Sequence, residues 1–201
     1  MLHYQDELFQ DNHFNHHNFR DRELIRCTFE RCSFIDASLE EVTTLACRFV
    51  ACNFEGAALS GSIHTESAFV NCSFQNAKLF AAKFSECKMT GSDFTKANLS
   101  GVTLAGGDWS YTNLRHVHFA KQDLRGVRLV EADLMGANLE KADLRQADLS
   151  RAQLAQAALK GADLRGAAME GVDFSVVNVK GAKMDHRQAI LFLQAYGAKV
   201  E

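Results

Sequence analysis

A large apolar residue recurs at every fifth position from Phe9 to Met184, in one register with no insertion or deletion. Of these 36 centres, 16 are Leu, 13 Phe and 3 Met, with Trp109 and Val179; only Thr44 and His64 are polar. From Cys27 to Ala182 the residue two before each centre is mostly Ala, Cys, Val or Ser. Glycine gathers two after the centre, where 11 of the 13 lie, among them Gly56, Gly61, Gly91, Gly101, Gly126 and Gly161. A glycine column marks a corner whose backbone dihedrals other residues avoid. A period of five is neither 3.6 nor 2, so neither a long amphipathic helix nor an ordinary alternating strand fits. Two inward residues and one corner per five describe a solenoid.

The units Ala132-Asp-Leu, Ala137-Asn-Leu, Ala142-Asp-Leu and Ala147-Asp-Leu resemble those of the pentapeptide repeat family, and the likeness runs over roughly residues 7–184. It implies an all-β solenoid, a right-handed quadrilateral β-helix with four units per coil, hence about nine coils over residues 1–184. Residues 185–201 leave the pattern and read as a short C-terminal α-helix and tail.

Twenty residues per coil sets stacking columns. One begins Phe9, Phe29, Phe49, Phe69, and the next Phe14, Phe34, Phe54, Phe74, Phe94, where rings can stack. Gly107 at the small position before Trp109 is expected to make room for the indole. Thr44 and His64 are one coil apart, which predicts either a buried hydrogen bond between them or a local bulge.

Cys27, Cys32, Cys47, Cys52, Cys72 and Cys87 all fall on the small inward position and form no CxxC pair. They read as small core residues, not as zinc ligands or disulfides. His13, His16 and His17 lie in the first coil, where a polar cap is expected; a metal site is the other reading. Asp-Leu-Arg at 123–125, 143–145 and 163–165 stacks into an Asp ladder beside an Arg ladder, either a neutralised solvated face or a recognition surface. No catalytic or cofactor-binding signature is present, so neither an enzyme nor a cofactor is expected.

The net charge of −3 argues against direct nucleic-acid binding. Residues 1–66 carry 11 acidic and 5 basic residues, residues 67–201 carry 14 and 17. Proline is absent, which suits a chain paired almost everywhere. No apolar run is long enough for a membrane span, and the polar N-terminal segment does not read as a targeting peptide. A cytoplasmic location is therefore expected.

The C-terminal segment DHRQAILFLQAYGAKVE places a helix cap at Asp185 and a stop at Gly197. Its apolar residues need two partners, the solenoid end and a second copy; Ala189, Ile190, Phe192, Leu193 and Tyr196 are the expected dimer contacts. Asp185, Gln188, Ala189 and Gly197 also resemble the C-terminal motif of the MfpA- and Qnr-type quinolone-resistance proteins. That resemblance implies a homodimeric, DNA-like rod that binds DNA gyrase or topoisomerase IV and modulates inhibition by topoisomerase poisons such as fluoroquinolones. The alternative is a scaffold for a different protein partner. For the DNA-mimic reading the outward Asp133, Asp143, Asp148, Asp163 and Asp173, each just before an inward Leu or Phe, are the candidate partner-binding residues.

Overall fold

The computed structural model describes residues 3–200, in two compact units, Met1–Asp108 and Trp109–Glu201. In the first, strands at His3–Gln5, Glu23–Ile25, Thr43–Leu45, Ile63–Thr65, Lys83–Ser85 and Thr103–Ala105 form one parallel six-stranded sheet. Leu8–Gln10, Thr28–Glu30, Arg48–Val50 and Ala68–Val70 form a parallel four-stranded sheet. Two further faces are joined by single parallel bridges such as Ser33↔Asn53 and Ser38↔Ala58. Each pairing steps by one twenty-residue coil, as in Phe29↔Phe49, so the pentapeptide period becomes a four-faced β-solenoid. Tyr4 pairs with Leu24, which starts the register one unit before Phe9.

The corners explain the period. Every fifth residue from Asp6 to Gly181, with the exception of Val176, has a positive φ between 50° and 78°. At many corners the N–H three residues after the centre closes a turn, as in Ala37 N–H to Phe34 C=O at 3.0 Å. A positive φ at the third residue of such a turn is the type II geometry that glycine and asparagine favour. Where the corner is closed this way the face before it is reduced to a bridge; where it is open, three residues pair as a strand before it. From Met89 onward the corner is closed almost throughout, as at Ser92 N–H to Met89 C=O. Strand pairing therefore steps through about five turns, and the expected count of nine coils is off.

The side chains at the centres fill the interior. In the first unit Phe29, Phe49 and Phe69 stack face to face at 4.7 and 4.6 Å. Phe34, Phe54, Phe74 and Phe94 stack beside them at 4.8 to 4.9 Å. Thr44 and His64 make the buried hydrogen bond, Oγ1 to Nδ1 at 2.9 Å, and there is no bulge. Thr44 Oγ1 donates to Ser67 Oγ, so it accepts from His64 Nδ1–H; Ser62 Oγ–H then donates to Nε2. The imidazole is thus neutral and fully paired inside an apolar stack. Gly107 has a reason of its own: a Cβ there would lie 2.3 Å from the Cys87 carbonyl oxygen, at a φ of +88°.

In the second unit the faces are held by bridges, for example Asp123↔Asp143↔Asp163 and Asn138↔Ala158. A 3-10 turn at Phe174–Val176 interrupts them. The unit ends in α1 (His186–Ala195). Asp185 and Gln188 form a capping box, and Gly197, at a φ of +84°, ends the helix. Ala198 N–H reaches Leu193 C=O and Gly197 N–H reaches Gln194 C=O, the Schellman pattern.

Candidate functional site

The five candidate aspartates all precede an inward residue, yet none projects freely. In each, one carboxylate oxygen accepts from the backbone N–H two residues on: Met135, Arg145, Ser150, Arg165 and Ser175, at 2.9 to 3.3 Å. This is the local turn that Asp and Asn side chains make with their own backbone. It lays the carboxylate along the surface, and the side chains of Asp133, Asp143, Asp148 and Asp163 are only 22%, 29%, 33% and 16% exposed.

Charge partners differ among them. Arg145 Nε and Nη2 grip both oxygens of Asp143 at 2.8 and 2.6 Å, and Arg165 grips Asp163 in the same way. These bonds hold the Asp143 carboxyl below the usual range and bring that of Asp163 down to about 2. Arg125 repeats the clamp on Asp123, so the Asp-Leu-Arg triplets form three like-oriented ion pairs in one column. The other oxygen of Asp133 accepts from Arg115 Nη1 at 3.0 Å. Asp148 stands 3.9 Å from Arg128. Among the described residues Asp173 has no basic partner; hydrogen bonds from the Ser175 hydroxyl and N–H hold its carboxyl low. Its outward charge is the least compensated of the five.

The C-terminal helix is anchored on one side only. Asp185 accepts from Gly166 N–H at 2.7 Å, and the buried Gln188 donates from Nε2 to the Ala167 carbonyl at 2.7 Å. Phe192 meets Phe174 edge to face at 5.9 Å. Ala189 and Ile190 are half-buried, while Leu193 and Tyr196 are 48% and 63% exposed. The helix thus presents an uncovered apolar strip to solvent.

The remaining candidates resolve into structure. All six cysteines are buried and free, and burial pushes Cys47 and Cys87 up to about 11, which leaves those two thiols protonated. His13, His16 and His17 sit on the exposed first coil. There the Arg22 guanidinium covers the Tyr4 and Phe19 rings at 5.7 and 5.8 Å. Among the described residues no group of His, Cys, Asp or Glu is placed to hold a metal ion. Among them too, no helix is long and apolar enough to cross a membrane.

Two features escape a reading of the centres alone. The Gln188 anchor depends on a carbonyl 21 residues away. The 3-10 break had a signal in the sequence: Val176 is the one β-branched residue in the whole corner column.

No curated protein matches the sequence. Solved structures do. A trypsin-treated variant of QnrB1, a plasmid-mediated fluoroquinolone resistance protein, superposes with a TM-score of 0.88 at 23% identity, over 99% of each chain. Full-length QnrB1 gives 0.82 at 22% identity, over 98% of this chain and 100% of that one. HetL, a pentapeptide repeat protein involved in heterocyst differentiation regulation from the cyanobacterium Nostoc, gives 0.51 at 23% identity, over 90% and 86%. These likenesses establish the shared solenoid fold. The family model for pentapeptide repeats matches residues 52–91, 77–110, 112–151 and 152–186, well over half of the sequence, and this chain belongs to the pentapeptide repeat family.

Proposed function

We propose that this protein acts as QnrB1-like proteins do in fluoroquinolone resistance: a non-enzymatic, homodimeric DNA mimic that binds DNA gyrase or topoisomerase IV and alters its inhibition by fluoroquinolones. The observation that carries this reading is the end-to-end superposition on QnrB1, over 99% of both chains with the C-terminal segment included. The uncovered strip of Leu193 and Tyr196 supports self-association through α1. A two-fold contact there buries the same strip on both copies.

Mimicry requires carboxylates where the enzyme expects phosphates, and an attraction that weakens with salt. Asp173 supplies an uncompensated charge. Asp133 and Asp148 supply weaker ones, while Asp143 and Asp163 are clamped by arginine and contribute least. The test is a supercoiling assay with purified gyrase, with and without a fluoroquinolone. Inhibition of supercoiling by the protein, or relief of drug-trapped cleavage, supports the proposal. No effect at protein concentrations well above that of the enzyme overturns it. The fold then serves another protein partner, as its sharing by HetL allows.

A further inference from the structure

Arg125, Arg145 and Arg165 stand in a row on successive coils, about 4.8 Å apart as neighbouring rungs of a parallel ladder. Each is held in the same way, Nε at 2.8 Å and Nη2 at 2.6 Å from the two oxygens of the aspartate two residues before it. The clamp takes two of the five N–H donors of each guanidinium and fixes its plane. Among the described residues nothing accepts from Nη1 of any of the three, so that edge of each group is left to solvent. The charges do not simply cancel. Asp143 and Asp163 are less exposed than Arg145 and Arg165, so each of these pairs is a dipole with its positive end outward. Dipoles aligned side by side add their fields at the surface. At the end of the column Lys183 follows Asp163 and Asp185 follows Arg165, and these two charges offset one another.

Beside the row runs the corner column Gly126, Gln146, Gly166. A Cβ at Gly126 would meet nothing within 4 Å, and one at Gly166 would first meet Gln146 Cγ at 3.4 Å. The two missing side chains leave a recess of about 310 Å³ lined by Arg125, Arg145, Gln146, Arg165 and Gly166, with no acidic side chain among them. We propose that this recess binds an oligophosphate, a chain of phosphoryl groups such as tripolyphosphate or the triphosphate of a nucleotide, laid along the row from Arg125 to Arg165. A phosphoryl group accepts two guanidinium N–H bonds at once and has oxygens left to bridge to the next rung. The Gln146 amide, which has no side-chain partner among the described residues, adds a neutral donor at the middle rung. An acidic peptide fits less well. Carboxylates on one side of an extended strand recur about every 6.6 Å, out of step with rungs about 4.8 Å apart.

The test is calorimetric titration of the full-length protein with tripolyphosphate, ATP, inorganic phosphate and triglutamate at matched ionic strength. The expected result is saturable binding of tripolyphosphate, with inorganic phosphate about tenfold weaker because it reaches two rungs at most. ATP bound equally well identifies the phosphate chain alone as the ligand; ATP bound more tightly adds its base, stacked on a guanidinium plane. Arg145→Gln removes the middle donor and should weaken tripolyphosphate about tenfold. Asp143→Asn keeps Arg145 and removes the negative charge behind it, so it should tighten binding. Arg26→Gln with Arg31→Gln removes two clamped arginines of the first unit, outside the row, and should leave binding unchanged. Absence of saturable heat with tripolyphosphate overturns the proposal. So does triglutamate bound as tightly, which assigns the row to an acidic protein segment instead. An Arg26 and Arg31 double variant that loses as much affinity as Arg145→Gln, or a folded Asp143→Asn variant that binds no more tightly than the wild type, also overturns it.

Discussion

At the residue scale, what a side chain does is set by its place in the five-residue unit. Phe54 lies at a centre, is 1% exposed, and stacks on both Phe34 and Phe74. Phe54→Ala should cost about 3–5 kcal/mol, because the stacked rings on either side cannot collapse into the gap. Cys52 lies at the small position, where Ala is the commonest occupant elsewhere, so Cys52→Ala should be far milder. Thermal melts of the two variants check the order; the reverse order would place the wrong position inside. His64 allows a second residue-level prediction. Burial pushes its pKa down to about 3, whereas an unfolded histidine titrates near 6.5. As pH falls, the unfolded chain takes up the proton first. The contribution is therefore intact above about pH 6.5 and is lost by about 1.4 kcal/mol per pH unit on the way down to about 3. Melts of the wild type and His64→Phe at pH 7 and 4.5 isolate it: the wild type should lose clearly more stability across that interval. Equal losses would show that His64 is not held neutral.

At the element scale, the repeat made the inward and outward positions legible, and the glycine column made the corners legible. It did not reveal that charged residues such as Arg26, Glu41 and Lys141 take the same left-handed corner, with φ of 50°, 59° and 58°. Composition marks only the corners where glycine relieves the strain, whereas the ladder of backbone bonds imposes the conformation on all. Nor could the pattern show the aspartates folded back onto their own backbone, because the residue type is the same whether the side chain projects or caps a turn. The helix α1 was legible from Asp185 and Gly197, but its attachment was not, since Gln188 binds a carbonyl of the preceding coil. Gln188→Ala removes the donor to the buried Ala167 carbonyl and half of the capping box. It should destabilise the C-terminal region by about 1–3 kcal/mol. Hydrogen exchange should show faster opening of α1 while the amides of the first unit keep their protection. Unchanged protection of α1 would mean that Phe192 and Phe174 alone hold it.

At the scale of the whole molecule, assembly and mimicry can be tested separately. Leu193→Lys places a charge in the exposed strip of α1 without touching the repeats. Light scattering should show a dimer for the wild type at micromolar concentration and a monomer for the variant, with equal far-ultraviolet spectra. A wild-type monomer would remove the two-fold rod from the proposal. The charge hypothesis needs a substitution that alters charge alone, and the repeat provides one. Asn98, Asn138 and Asn178 occupy the position held by Asp133 and Asp173, and their side chains accept the same N–H two residues on, at 3.0 to 3.1 Å. Asp133→Asn with Asp173→Asn should therefore keep both turns. It gives up one exposed ion pair, to Arg115, which is worth about 1 kcal/mol at most. Melting should barely move. Gyrase affinity should fall, and its dependence on salt should become shallower, because two charges no longer stand in for phosphates. The double variant and the wild type are compared at low and at physiological salt. If they bind equally at both, the column that carries Asp133 and Asp173 does not imitate DNA. If affinity falls by the same factor at both, the two carboxylates act through local contacts and not through the field of a phosphate mimic.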